Sequence, residues 1–120
     1  MLFDHPIEIQ GNALFISDAH LRTPEDEDSK QRDPKLIQLL ESKKGQIQHL
    51  FLLGDIFDFW FEYGDVAPKG YFRLFNLLYE LNESGVKIYY FTGNHDMWVQ
   101  DYFTQQFDCQ VFYNQQAFVL

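Results

Sequence analysis

One hundred and twenty residues make one small domain or a piece of a larger one. Apolar residues are 46 % and aromatics 18 %, enough to bury a core, which excludes wholesale disorder. Against 18 acidic side chains stand 9 basic ones, and the net charge of −9 excludes a broad nucleic-acid-binding face of clustered Lys and Arg.

The N-terminal MLFDHPIEIQ has neither a basic n-region nor an apolar h-region, so it does not read as a signal peptide. No run approaches the ~18 apolar residues of a membrane span. The single Cys109 leaves no internal disulfide and no CxxC zinc site, and it reads as a small buried hydrophobe. The expectation is a soluble, cytoplasmic protein.

Residues 13–17 (ALFIS) form a short apolar run that reads as a buried strand. The polar stretch 23–33, with four acids at 25–28, reads as a solvated loop. A helix is expected after it, capped by Asp33 with Pro34 in its first turn, an apolar face of Leu36, Ile37, Leu39 and Leu40, and Gly45 at its end. HLFLL, residues 49–53, is the second strand, and its His49 reads as a structural residue. Residues 54–68 form a loop dense in aromatics. A second helix is predicted over 69–82, stopped by Gly85, and a third strand over 86–92 (VKIYYFT). A third helix over 97–106 and two strand-like pieces, CQVFY and AFVL, complete the chain. Strand and helix alternate, which predicts an α/β fold with right-handed crossovers, a mostly parallel sheet and helices on both faces. The chain stops at Leu120 inside an apolar run, so residues 1–120 are expected to be the N-terminal part of one longer domain.

Each of the three inner strands ends in a turn that bears acid or histidine: Ser17-Asp18-Ala19-His20, then Gly54-Asp55-Ile56-Phe57-Asp58, then Gly93-Asn94-His95-Asp96. The carboxyl ends of parallel strands line one crevice, so the three turns are expected to converge there. Asp18 and His20 are two apart, and on extended chain they project to one side. Gly54 lets the chain turn tightly enough to bring in the Asp55 carboxylate, which has two oxygens and can bridge two ions. Asn94 offers a neutral oxygen. Oxygen and nitrogen donors without thiolate suit Mn²⁺, Fe²⁺, Zn²⁺ or Mg²⁺. Two such ions about 3.5–4 Å apart can clamp a phosphoryl group for in-line displacement. Each motif alone is weak, and Asp96 also suits a helix N-cap; the specificity lies in the ordered set.

Asp18-x-His20, Gly54-Asp55-x-x-Asp58 and Gly93-Asn94-His95-Asp96 resemble the first three motif blocks of the calcineurin-like metallophosphoesterases, over most of the chain. The resemblance implies an α/β/β/α sandwich and a dinuclear metal centre. Asp18 and His20 would bind one ion, Asp55 would bridge, and Asn94 would bind the second. His95 would contact the phosphoryl group as a catalytic residue, with Asp96 orienting it, and Asp58 would support the Asp55 loop. The flanking text, LFISDAHL, LFLLGDIFDFWFEYG and YYFTGNHDMW, is similar to the UDP-2,3-diacylglucosamine hydrolases of lipid A synthesis. That branch implies Mn²⁺, a nucleotide-linked lipid cleaved to UMP and 2,3-diacylglucosamine 1-phosphate, and contact with the periphery of the inner membrane. Many of its members carry Arg where this chain has His95, the residue of phosphoesterases at large. That leaves a phosphatase or phosphodiesterase on a soluble substrate as the alternative.

The family also draws histidine ligands from later segments, whereas this chain has only His5, His20, His49 and His95. The 120 residues alone are therefore expected to be nearly inactive, or a metal-binding piece without catalysis. The aromatic loop Phe57, Phe59, Trp60, Phe61, Tyr63 has two readings, packing against the sheet or an apolar wall beside the crevice. Arg22, next to the first motif, either meets a phosphate of the substrate or stays at the surface. An exposed sheet edge would offer a route to a homodimer.

Overall fold

Four of the apolar runs pair side by side. The computed structural model describes residues 6–21, 27–63, 70–93, 96, 98–114, 116 and 118–119. Along the chain run β1 (Ile7–Glu8), β2 (Ala13–Ile16), α1 (Glu27–Ser42), β3 (His49–Leu52), α2 (Phe72–Glu83), β4 (Lys87–Phe91), α3 (Tyr102–Phe107), β5 (Gln110–Phe112) and β6 (Phe118–Val119). Strands β2, β3, β4 and β5 form one sheet in that order, every pair parallel. The register lines up Ile16, Leu52, Tyr90 and Val111 in one row and Phe15, Phe51, Tyr89 and Gln110 in the next. Successive strand residues face opposite ways, so adjacent rows look to opposite faces.

Strand order follows chain order without a reversal. A right-handed crossover then advances in the same direction each time and lands its helix on the same face. Leu36, Ile37 and Leu40 of α1, four leucines of α2, and Phe103 and Phe107 of α3 share one core with Leu50, Leu52, Ile88 and Tyr90 of the sheet. The expectation of helices on both faces is thus corrected, because a doubly wound sheet requires a reversal that this strand order lacks.

The opposite face carries β1 and β6, paired parallel as a second, two-stranded sheet. Ile9, Phe51 and Tyr89 are buried between the sheets, with Phe91, Phe112 and Phe118 packed against them. Phe15, Phe51 and Tyr89 stack across three strands at 4.7 and 4.6 Å between ring centroids. Helices, main sheet and second sheet are three layers of the α/β/β/α sandwich that the motifs imply. Among the described residues no helix is long and apolar enough to cross a membrane.

Three helix starts differ from expectation, α2 beginning at Phe72 rather than near 69, after a left-handed Tyr71. α1 begins at Glu27 rather than at Asp33 and runs through Pro34. Acidic residues are favoured in a helix's first turn, so part of the charged stretch read as loop is helix. α3 begins only at Tyr102. Before it, Phe61 and Trp98 form a parallel bridge and the Glu62 carboxylate accepts the N–H groups of Gln100 and Tyr102 at 2.9 and 3.1 Å. α2 stops as predicted: Gly85 has φ +107°, its N–H donates to the Asn82 carbonyl, and the Val86 N–H donates to Leu81, a Schellman motif that buries Val86.

His49 is buried and structural, as expected. Its Nε2 lies 2.8 Å from the Gln10 carbonyl, which can only accept, so Nε2 carries the proton and Nδ1 accepts from the Tyr89 hydroxyl at 3.2 Å. Burial pushes the Tyr89 phenol up and keeps it a donor. Cys109 is buried too, and burial raises its thiol well above the usual range, so it stays neutral.

The Phe103 ring has no exposed surface and lies 4.9 Å from Trp60 and 5.0 Å from Tyr90. Phe103→Ala is expected to lower the unfolding free energy by about 3–5 kcal/mol. In urea this reads as a lower midpoint at unchanged slope. Phe72→Ala, at a residue 78 % exposed, shifts it by less than about 0.5 kcal/mol.

Candidate metal centre

Parallel strands in register release their chains side by side. Ile16, Leu52 and Tyr90 are neighbours in one row, so the segments after β2, β3 and β4 emerge together at one sheet edge. The first two then zip: the Asp18 N–H donates to Gly54 O at 3.1 Å, His20 to Asp55 O at 3.0 Å, and Leu21 to Ile56 O at 2.8 Å. The Asp58 N–H donates back to Leu21 O at 2.8 Å.

This pairing is made by unusual backbone. Asp18, His20 and Asp55 all have positive φ, at 54°, 50° and 50°. Left-handed conformations at non-glycine residues persist only where surrounding bonds over-determine them, and they cluster at functional sites. Asp18 and His20 do converge, though through two left-handed turns rather than through the same-side projection of an extended strand. Each of Asp18, His20 and Asp55 offers a ligand atom, and these atoms all lie within 4.8 Å of one another. His20 Nε2 is 3.8 Å from Asp18 Oδ1. The Asp18 side chain is 69 % exposed and His20 33 %, so the cluster opens to solvent. Two carboxylates and an imidazole so close, with no thiolate, form a donor set that fits a divalent cation.

Asp58 stands on the other side of the imidazole, its Oδ1 3.5 Å from His20 Nδ1. A histidine held by a carboxylate at one nitrogen presents the other to a metal. Asp58 thus reaches His20, whereas the sequence assigned it to the Asp55 loop.

Two glycines let the second and third turns touch. A Cβ on Gly54 would lie 3.2 Å from Gly93 Cα, and a Cβ on Gly93 would lie 2.7 Å from Asp55 N. Asp96 then locks the contact. It is fully buried, and its carboxylate accepts the Ile56 N–H at 3.0 Å, the Gly93 N–H at 2.6 Å and the Tyr90 hydroxyl. It is not a helix N-cap, since α3 starts six residues later at Tyr102. Burial and the Asp96 charge raise the Tyr90 phenol far above its ordinary value, so it remains a neutral donor. Asn94, His95 and Arg22 lie outside the described residues.

The packing reading holds for part of the aromatic loop. Phe57 and Trp60 are buried in the helix-side core, whereas Phe59, Phe61 and Tyr63 are exposed, as is Trp98. The Trp60 indole donates to Glu62 at 2.8 Å. Glu62 was not singled out from the sequence, yet it is buried and joins this loop to the start of α3.

The family model of the calcineurin-like phosphoesterases matches residues 11–119. The chain belongs to the calcineurin-like phosphoesterase family. Among curated relatives, it is 38 % identical over 103 residues to the UDP-2,3-diacylglucosamine hydrolase of Porphyromonas gingivalis, covering 86 % of this chain and 39 % of that protein. It is 34 % identical over 99 residues to that of Nitrosococcus oceani, covering 82 % and 37 %. The hydrolase of Vibrio cholerae serotype O1 is 33 % identical over 118 residues, covering 91 % and 46 %. The chain thus spans about two fifths of the length of the curated relatives it matches. Among solved structures, the Pseudomonas putida nuclease MPE superposes with TM-score 0.52 at 17 % identity, over 83 % of this chain and 46 % of that one, and so shares the fold.

In this chain the Gly54–Gly93 contact lies directly against Asp55. Gly93 does not have a positive φ, so alanine there fails for want of space alone. At an unstrained position Gly→Ala stabilises by about 0.4–1 kcal/mol. Here Gly93→Ala is expected to destabilise by about 1–3 kcal/mol, as overpacking does, read as a lower urea midpoint.

Proposed function

We propose that these residues supply the first three loops of a dinuclear metal site in a single metallophosphoesterase domain, whose reaction is hydrolysis of the pyrophosphate in UDP-2,3-diacylglucosamine. The convergence of Asp18, His20 and Asp55 donor atoms within 4.8 Å, in the order and spacing of the family's motifs, is the observation that supports it most. The names and identities of the curated relatives support the substrate.

In this reading Asp18, His20 and Asp55 would hold one cation, and Asp55 with Asn94 would contribute ligands to a second. Such ions, when bound, supply Lewis acidity and an activated water nucleophile. Asp58 fixes the His20 ring. His95 meets the phosphoryl group and gives a proton to the leaving oxygen. Water adds across one P–O bond of the pyrophosphate, releasing UMP and 2,3-diacylglucosamine 1-phosphate. The exposed Phe59, Phe61, Tyr63 and Trp98 provide apolar surface for acyl chains at a membrane periphery. The remaining histidine ligands come from length that the relatives have beyond these 120 residues. Mn²⁺ is the cation we favour.

Two measurements test this. Calorimetric titration of the 120-residue chain with Mn²⁺ is expected to give one main site. Asp18→Asn should abolish it, and Asp58→Asn should weaken it about 10-fold, as loss of a partner to a ligating histidine does. Two tight sites per chain would contradict the placement of the remaining ligands elsewhere. The protein at the length of its relatives, supplied with Mn²⁺ and UDP-2,3-diacylglucosamine, should release UMP. Cleavage of bis-p-nitrophenyl phosphate without UMP release would instead favour a phosphodiesterase of another substrate, the reading that His95 in place of Arg supports.

A further inference from the structure

Asp96 occupies a place that its motif role, orienting His95, does not explain. Its carboxylate has no exposed surface, and a buried charge persists only when donors surround it. The donors here are the peptide N–H that follows Asp55, the peptide N–H that precedes Asn94, and the hydroxyl of Tyr90. One side chain therefore grips the main chain beside a candidate ligand in each of two loops. Tyr90 itself belongs to no motif. It ends the helix-side row of β4, its ring is fully buried 5.0 Å from Phe103, and its hydroxyl reaches the carboxylate from below the loops. Gly93 rests directly against Asp55, so a shift at Gly93 is transmitted to Asp55 through contact.

We propose that Tyr90 and Asp96 are positioning residues that set the affinity of the Asp18, His20, Asp55 cluster for a divalent cation. Asp96 acts on the Asp55 loop, and Tyr90 acts by holding Asp96. This rests on the metal reading given above. Ligand atoms must lie within about 0.2 Å of their places. Removing the Tyr90 hydroxyl leaves the buried carboxylate short of a donor and lets both loops relax. Phenylalanine keeps the ring and its packing, so the change is confined to that bond.

The test is Mn²⁺ binding by the 120-residue chain, followed by calorimetry and by the resonance signal of free Mn²⁺, beside urea unfolding of each variant. Tyr90→Phe is expected to weaken Mn²⁺ binding about 10-fold while the far-ultraviolet dichroism stays native. Leu81→Ala, a core change at the end of α2 beside Val86 and the start of β4, should lower stability and leave Mn²⁺ affinity unchanged. If Tyr90→Phe is destabilised like Leu81→Ala but binds Mn²⁺ as the native chain does, the positioning role is overturned. Should Tyr90→Phe fail to fold, Asp96→Asn, with Tyr90 intact, carries the same expectation and the same refutation. Asp55→Asn separates the two claims. Native binding by that variant sinks the metal reading itself, whereas lost binding in Asp55→Asn with full binding in Tyr90→Phe sinks only the positioning role.

Discussion

Gly54 and Gly93 touch back to back, and the candidate site exists because neither carries a side chain. A Cβ at either position would press on the opposite backbone or on Asp55. Contact at this range joins the chain after β3 to the chain after β4. The zipper of N–H donors from Asp18, His20 and Leu21 joins the chain after β2 to the same strip. Three loops that leave a sheet at ordinary strand spacing, about 4.8 Å apart, are thereby drawn into one continuous edge. The donor atoms converge because the main chains do.

That edge in turn requires a sheet whose order never reverses. With β2, β3, β4 and β5 in chain order, every right-handed crossover falls on one face and every strand end on one edge. The face away from the helices is left to aromatic side chains and is covered by β1 and β6. One choice of strand order thus sets both the layers and the place of the chemistry. The buried polar groups follow the same division. His49 ties the amino end of β3 to Tyr89 of β4 and to the chain after β1 at Gln10, whereas Tyr90, facing the helices, serves the loops at the carboxyl end of β4.

What could be read from the sequence was what is local to it. An apolar run followed by an acid or a glycine marks a strand and its carboxyl end within a few residues, so the inner strands and the three motif turns were legible. The side taken by the helices was not, because it depends on strand order, which no short window contains. β1 is two residues long and pairs across nearly the whole chain, so it shows no period of its own, whereas the apolar AFVL marked β6. Pro34 read as a start because proline disfavours a helix interior, yet packing of Leu36, Ile37 and Leu40 outweighs the one lost hydrogen bond. Glu62 looks like a surface acid in a string of letters, and Asp96 read as the residue that orients His95. Only the arrival of N–H donors from distant residues makes each a buried clamp. The Asp18 and His20 spacing predicted convergence for a reason that does not apply, since the backbone there is left-handed rather than extended.

The left-handed backbone and the acidity of the chain bear on the same question. At non-glycine residues αL costs about 1–2 kcal/mol each, less for Asp, whose short side chain bonds locally. Asp18 and Asp55 bring like charges within 4.8 Å of each other, and Asp58 adds a third against the far side of His20. Both effects oppose folding of this edge. A cation bound only by the folded chain opposes them in return, by about 2.7 kcal/mol at a concentration one hundred times its dissociation constant. The two sums are of the same order. On the proposed metal reading, part of the net charge of −9 would be offset by a bound cation. Folding of the loops and occupation of the site would then be linked equilibria, with the Asp96 carboxylate, already satisfied by protein donors, holding the frame to which a cation would add.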